Sequence, residues 1–209
     1  MKKIISALIL ICLFVGTLTS CDRDYDETEV RAAAESLIKS SEKLNELFWG
    51  EGLAYTEDLN YADGAYRRAT FMSLDEYGVK TVGDIKNLAR GTFTTAYCEN
   101  IFSTLLTSVS DSTGIQLLAR YAPRGEGDEE TVYVYVEWEP FLTSKVEYLY
   151  DTLKVDGAEE ETVYVSIDCI VKNSEGNEQR KTLSIALLEE ESGWRLDSPT
   201  YATYNPKEQ

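Results

Sequence analysis

The sequence contains no histidine, and basic residues are scarce in it. Histidine is the commonest general base near neutral pH and the commonest zinc ligand, so its absence removes catalytic designs that depend on an imidazole. Among 209 residues there are 20 Lys and Arg against 37 Asp and Glu, which gives a net charge of −17. A protein this acidic repels phosphate backbones, which excludes nucleic acid as a partner.

Long hydrophobic runs are also missing, except at the N-terminus. Two lysines precede an apolar run at 4–15, which is too short for a permanent membrane-spanning helix. The run ends in Leu-Thr-Ser-Cys at 18–21, which resembles a bacterial lipobox, where the cysteine thiol receives a diacylglycerol after cleavage. We therefore predict a signal peptide at 1–20 and a lipid anchor on Cys21, with an ordinary secretory peptide as the alternative.

The mature chain is predicted to be an extracytoplasmic protein held at the cell membrane by Cys21 alone. The first 21 residues hold two lysines and no acid, so 18 basic and 37 acidic side chains remain, a net charge of −19. That charge keeps the protein away from anionic headgroups. After the lipidated cysteine and its tether (21–27), residues 28–204 suffice for one domain with a hydrophobic core, followed by a tail at 205–209.

Cysteine is rare in the mature chain beyond the anchor. Cys98 and Cys169 both fall on apolar faces, so they fit either two buried thiols or one disulfide, which an extracytoplasmic compartment permits. The apolar surroundings favour buried thiols. No Cys-x-x-Cys occurs, so the sequence offers neither a redox motif nor a zinc knuckle, and we predict no metal and no cofactor.

Hydrophobic periodicity divides the domain into a helical first part and a strand-rich second part. Apolar residues at three- and four-residue steps predict helices at about 28–49, 82–90 and 94–108, with a strand at 65–72. After Gly114 the period becomes two, which predicts strands at about 115–122, 131–139, 144–154, 161–172, 179–188 and 194–202. This order indicates an α+β fold in which N-terminal helices pack on one curved antiparallel meander sheet.

The segment Glu-Thr-Val-Tyr-Val occurs at 130–134 and again at 161–165. In a single meander the two strands flank 144–154, which puts their tyrosines about 10 Å apart on the face opposite the valines. Tyrosine suits binding surfaces, and it equally suits a half-buried sheet under helices. The alternative is that the two strands are similar only because both are built from residue types that favour strands. The predicted partner-binding residues are Tyr133, Tyr135, Glu137, Tyr164, Ser166 and Asp168, with Tyr148 and Tyr150 as further members.

Three turns of the same meander, at 124–130, 156–161 and 189–193, are acidic and are expected at one end of the sheet. Salt, cations or a basic partner would reduce the repulsion between the carboxylates along such an edge. No segment has EF-hand spacing, and solvated turns that discourage edge-to-edge pairing are the alternative. The predicted edge comprises Glu126, Asp128, Glu129, Glu130, Asp156, Glu159, Glu160, Glu161, Glu189, Glu190 and Glu191.

No catalytic constellation emerges from the sequence. Two Ser-x-x-Lys matches, at 36–39 and 40–43, lack the S-D-N and K-T-G elements that accompany this pattern in penicillin-binding enzymes. Glu137 and Glu139 lie about 7 Å apart on a strand face, within the range of inverting glycosidases, but any i, i+2 pair on a strand does so. We therefore predict that the chain is not an enzyme.

Three stretches resemble a known family: Leu-Phe-Trp-Gly-Glu-Gly-Leu at 47–53, the segment 79–86 leading to 93–97, and Gly-Trp-Arg-Leu-Asp-Ser-Pro-Thr-Tyr at 193–201. Their order and spacing resemble the IseA-like inhibitors of cell-wall D,L-endopeptidases of Gram-positive envelopes. The last stretch also resembles cystatin-like and nuclear-transport-factor-like cone domains.

The resemblance implies an envelope lipoprotein that binds and restrains a partner such as a peptidoglycan D,L-endopeptidase. The acidic edge would then steer the protein toward a basic enzyme, and the tyrosines would supply contact area. The alternatives are a small-ligand binder with a pocket between helices and sheet, and a surface protein that buffers divalent cations.

Overall fold

The structure is a computed structural model and describes residues 25–110 and 116–208. The predicted signal peptide and the predicted lipid anchor on Cys21 lie outside these residues. No helix within the described part is long and apolar enough to cross a membrane. The α+β class predicted from the sequence is confirmed.

Four α-helices occur in the described residues, and three of them match the predicted ones. They are α1 (Glu27–Trp49), α2 (Phe71–Tyr77), α3 (Val82–Thr92) and α4 (Thr95–Leu105). Helix α1 begins at Asp26, whose carboxylate accepts hydrogen bonds from first-turn amides. Thr81 and Asp84 form the reciprocal capping box at the start of α3 that their spacing predicts.

Helix α2 is not predicted from the sequence, where 65–72 reads as a strand. Only Tyr66–Arg68 of that segment is a strand, because the Thr70 side chain accepts a hydrogen bond from the amide of Ser73 and starts the helix. Gly78 ends α2 in the left-handed conformation, with φ of 68°.

The strands form two four-stranded antiparallel sheets and one short two-stranded ladder, β3-β4. The first sheet has the order β1-β2-β6-β5 and the second the order β10-β9-β8-β7. The strands are β1 (Ala62–Asp63), β2 (Tyr66–Arg68), β3 (Val109–Ser110), β4 (Gln116–Leu117), β5 (Tyr121–Arg124), β6 (Thr131–Tyr135), β7 (Lys145–Glu159), β8 (Thr162–Lys172), β9 (Glu178–Glu190) and β10 (Gly193–Leu196).

The predicted meander is therefore correct for β7 to β10 and wrong for β6. Strand β6 ends at Tyr135, and a non-strand segment that contains Pro140, which has no amide hydrogen to donate, separates it from β7. The edge of β6 that β7 was expected to occupy is taken instead by β2, from the helical part of the chain. Residues distant in sequence thus complete the first sheet, which no local pattern signals.

One hydrophobic core joins both sheets to the helices. The valines of β6 and of β8, including Val132, Val134, Val163 and Val165, are buried in it together with the apolar stripe of α1. Because side chains alternate along a strand, the tyrosines between these valines lie on the sheet faces turned away from the core. Cys98 and Cys169 are free and buried, which confirms the predicted thiols.

Candidate functional site: a tyrosine–arginine face

The outer face of the first sheet carries tyrosines beside arginines. Cross-strand pairing places Tyr66 opposite Tyr135 and Arg68 opposite Tyr133. The guanidinium of Arg124 lies 5.3 Å from the ring centroid of Tyr66 and 5.8 Å from that of Tyr133. Such contacts hold the rings and the cations in fixed positions. Tyr66 is buried and its hydroxyl donates to the Ala119 carbonyl at 2.7 Å, whereas Tyr133 and Tyr135 are half-buried. We call these five residues the tyrosine–arginine face.

Large apolar side chains are exposed next to this face. Phe71 and Met72, in the first turn of α2, are 80% and 82% exposed. Leu59 and Tyr61, in the turn before β1, are 72% and 44% exposed. We call these four residues the apolar rim. Phe71 and Met72 are the most exposed of the large apolar side chains in the described residues, and the four rim residues lie close together in sequence.

Two shallow depressions connect the rim with the face. One of about 380 Å³ is lined by residues that include Tyr61, Arg68 and Phe71. The other, of about 220 Å³, is lined by residues that include Arg68, Arg124 and Tyr133. Arg68 borders both depressions, so the rim and the face form one continuous surface.

The two arginines of this surface differ in how their charge is balanced. Arg124 forms an ion pair of 2.5 Å with Asp63. Arg68 is exposed and lies 5.3 Å from the ring centroid of Tyr61, and among the described residues no carboxylate forms an ion pair with it. The surface therefore offers one uncompensated cation although the chain as a whole is strongly acidic.

Three of the predicted partner-binding residues lie on or beside this face. Tyr133 and Tyr135 belong to it, and Glu137 follows Tyr135 at the end of β6. The Tyr135 hydroxyl donates a hydrogen bond of 2.9 Å to the Glu137 carboxylate, which raises the pKa of the tyrosine above its ordinary value. Because the valines of β6 are buried in the core, Tyr133 and Tyr135 lie on the opposite side of the sheet, where both are half-buried.

The other three predicted residues, Tyr164, Ser166 and Asp168, lie on the second sheet, so the expected separation of 10 Å across one sheet is wrong. Ser166 is buried, and its hydroxyl donates to Asp156 at 3.1 Å. Hydrogen bonds from Thr182 and Arg180, both of 2.6 Å, hold the pKa of Asp168 below its ordinary value. These polar groups are satisfied within the fold.

Tyr148 and Tyr150 do not join the outer face either. Tyr148 lies opposite Cys169 in the sheet and therefore shares the face that is turned toward α1. Its hydroxyl donates to the Thr200 carbonyl at 2.7 Å, and the hydroxyl of Tyr150 donates to Glu42 of α1 at 2.5 Å. Both tyrosines thus contribute to packing rather than to an exposed surface.

The predicted acidic edge is divided between the two sheets. The turns that carry Glu159, Glu160 and Glu161 and Glu189, Glu190 and Glu191 lie at the same end of the second sheet, as expected. The loop with Glu126, Glu129 and Glu130, and with the backbone of Asp128, belongs to the first sheet, because β5 and β6 pair there. The prediction that all these residues form a single edge is therefore wrong.

Two acidic residues have a structural role that the sequence did not indicate. The carboxylate of Glu130 accepts a hydrogen bond of 3.2 Å from the amide of Val82, the first residue of α3. The carboxylate of Glu190 accepts one of 2.8 Å from the amide of Thr95, the first residue of α4. Both balance the positive end of a helix.

Within the described residues, no group of three acidic or cysteine side chains is arranged to hold a metal ion.

The cavity between α1 and the second sheet is a weaker candidate. It measures about 270 Å³ and is lined by residues that include Glu42, Asn45 and Tyr148. Asn45 donates to the hydroxyl of Thr200 at 2.9 Å, and Glu42 and Tyr148 are engaged as described above. Three of the polar side chains that line the cavity are thus already paired.

Lys39, Ser40 and Lys43 of the two Ser-x-x-Lys matches line a depression of about 640 Å³ between α1 and α3. Both lysines are engaged there, since Lys39 is paired with Glu35 at 2.5 Å and Lys43 donates to the Glu76 carbonyl.

The first stretch that carries the family resemblance, 47–53, contacts Arg120, a residue that no sequence pattern marks as functional. Arg120 is 1% exposed and donates hydrogen bonds to the carbonyls of Phe48, Gly50 and Glu51 at 2.6 to 2.7 Å. A cation here balances the negative end of α1. The glycines at 50 and 52 are the only signal in the sequence for this close approach.

The two later stretches contact each other. Phe93 pairs with Leu196 in a parallel bridge, and the amide of Thr94 donates to the Leu196 carbonyl at 2.9 Å. The Thr94 hydroxyl donates to the carboxylate of Asp197. Residues of all three stretches thus make contacts between different elements of the fold, which gives these residues a structural role.

Comparisons of this chain with protein-family models, with curated proteins and with solved structures find no match. The assignment of a function therefore depends on the surface itself. That surface, in which outward tyrosines, an unpaired arginine and exposed apolar groups are continuous, is the strongest candidate among the described residues.

Proposed function

We propose that this chain is a non-enzymatic lipoprotein of the cell envelope, anchored through Cys21, that binds a protein partner and restrains it. The observation that carries the proposal is the continuity of the tyrosine–arginine face with the apolar rim. Aromatic residues, arginine and methionine are the types enriched where protein partners bury surface. An exposed apolar group beside polar and charged residues is typical of such an interface.

The partner class comes from the family resemblance and from charge. The three stretches resemble IseA-like inhibitors, which supports a peptidoglycan D,L-endopeptidase as the partner. The net charge of −17 favours association with a basic protein, because opposite charges speed the encounter and the effect weakens with salt. The acidic turns at the end of the second sheet contribute to this long-range attraction, and the face supplies the contact.

The test is inhibition of a D,L-endopeptidase by residues 21–209 with Cys21→Ser, measured on peptidoglycan at low and at physiological salt. We expect saturable inhibition that salt weakens. Failure to inhibit at every concentration, at low salt, would overturn the proposed partner.

A pair of variants tests the surface separately. Phe71→Ser should weaken inhibition at least about tenfold, since a large exposed aromatic residue is of a type enriched in interfaces. Phe141→Ser is the matched control, because Phe141 is also exposed, at 58%, but does not line either depression. Equal losses from the two variants would contradict the assigned face.

A further inference from the structure

A second feature of the molecule is a buried arginine whose hydrogen bonds are incomplete. The guanidinium of Arg120 lies between the rings of Tyr121 and Trp138, 5.2 and 5.4 Å from their centroids. Its two terminal nitrogens donate to the three carbonyls at the end of α1, but Nε has no hydrogen-bond partner among the described residues. Buried polar groups in native proteins are almost always paired, so this nitrogen requires an explanation.

A second unpaired donor lies beside it. The indole Nε1 of Trp138 is buried and also has no partner in the part of the chain that the structure describes. Both groups are obligate donors, so they cannot satisfy each other. Both residues line a cavity of about 110 Å³, together with Leu53, Tyr55, Tyr135, Pro140 and Glu51, whose carbonyl already accepts a hydrogen bond from Arg120. The same small cavity therefore lies against two side chains that each need an acceptor.

The charge of Arg120 determines which acceptor suits the cavity. Among the described residues, no carboxylate forms an ion pair with this arginine, and its contacts are neutral carbonyls and aromatic rings. A carboxylate has two planar oxygens that match a guanidinium and supply the missing negative charge. At about 110 Å³ the cavity exceeds the roughly 10–15 Å³ that one water molecule requires on the same measure, so a carboxylate group has room in it.

We propose that this cavity is a binding site for a carboxylate group, whose oxygens accept hydrogen bonds from Nε of Arg120 and Nε1 of Trp138. The carboxylate belongs either to a small free acid or to the C-terminus of a peptide, and both present the same chemistry. The site is distinct from the tyrosine–arginine face and does not depend on the proposed function. Tyr135 alone lines the cavity and also belongs to that face.

Nuclear magnetic resonance of the ¹⁵N-labelled chain, residues 21–209 with Cys21→Ser, tests the proposal directly. The Nε–Hε signals of arginine and the indole signals of tryptophan report the two donors. Titration with acetate should move the Trp138 signal saturably, while those of Trp49 and Trp194 serve as internal controls. Sodium chloride at equal ionic strength should not reproduce the shift.

Two further arms identify the source and the geometry. A short peptide with a free C-terminal carboxylate is compared with its C-terminal amide, and a response to the acid alone assigns the site to chain ends. A response to acetate without one to the peptide assigns it to small free acids. Trp138→Phe should weaken the acetate response of the Arg120 signal about tenfold, the loss expected for one hydrogen bond to a charged group. A Trp138 signal that no carboxylate moves, or that chloride moves equally, overturns the proposal and leaves buried water as the occupant.

Discussion

The backbone of Gly52 lies directly against the guanidinium of Arg120. A Cβ at Gly52 would lie 2.2 Å from Nη2 of that arginine and 2.2 Å from the hydroxyl of Tyr121. Neither group can withdraw easily, since Arg120 is held by three carbonyls and the Tyr121 hydroxyl donates to the Leu47 carbonyl at 2.7 Å. The residue also has φ of 71°, which favours glycine.

We therefore predict that Gly52→Ala lowers the free energy of unfolding by about 3 kcal/mol or more, because backbone strain and steric overlap add. The matched control is Gly78→Ala, where φ is 68° but a Cβ would meet no atom within 4 Å. That variant should cost only about 1 kcal/mol of backbone strain. Urea unfolding of both proteins measures the difference, and equal losses would contradict the role assigned to Arg120.

Local features of the sequence predict the local parts of this fold well. Helix α1 and the capping box of Thr81 and Asp84 follow from spacing over a few residues, and so does the alternation that buries Val134 and exposes Tyr133. The division into two sheets does not follow, because the pairing of Tyr66 with Tyr135 joins distant parts of the chain. For the same reason the sequence indicates only Tyr133 and Tyr135 of the candidate surface and misses the residues contributed by β2, β5, α2 and the turn before β1.

The turn between β7 and β8 contains a residue under backbone strain. Glu160 has φ of 55°, and it is the one residue other than glycine with positive φ in the described part of the chain. This conformation is costly for a glutamate and much less so for asparagine. Glu160→Asn should raise the free energy of unfolding by about 0.5–1 kcal/mol.

The control for charge is Glu160→Gln, which removes the same carboxylate and keeps a side chain that is unsuited to positive φ. Thermal and urea unfolding of the two variants separate strain from repulsion among neighbouring acids. We expect the asparagine variant to be the more stable of the two at every salt concentration. If glutamine stabilises as much as asparagine, charge repulsion and not φ limits this turn.

Two buried side chains that hold their protons make the free energy of unfolding decrease at alkaline pH. Burial raises the pKa of the Cys98 thiol to about 11 and that of the Tyr77 hydroxyl to about 12. Cys98 is 1% exposed, and its neutral thiol lies 3.7 Å from the Phe93 carbonyl, to which it donates. A thiolate at this position would be desolvated and would face that carbonyl oxygen.

The sign of the effect follows from proton binding. Between the unfolded value, about 8.5 for a thiol, and the folded value, the native state holds more protons than the unfolded state, so stability falls as pH rises. The stabilisation is fully present below about pH 8.5. From there to about pH 11, Cys98 alone should cost about 3 kcal/mol, and Tyr77 adds to the loss above about pH 10.

Urea unfolding of the wild type and of Cys98→Ala at a series of pH values measures this contribution, with the slopes compared rather than the absolute stabilities. The slope of the variant should be shallower between about pH 9 and about pH 11. Native protein at about pH 8 should also leave both thiols unreactive toward an aromatic disulfide until it is unfolded, because Cys98 and Cys169 are both free and buried. Rapid reaction of a thiol in the native protein, or identical slopes, would show that solvent reaches these groups and that burial does not hold their protons.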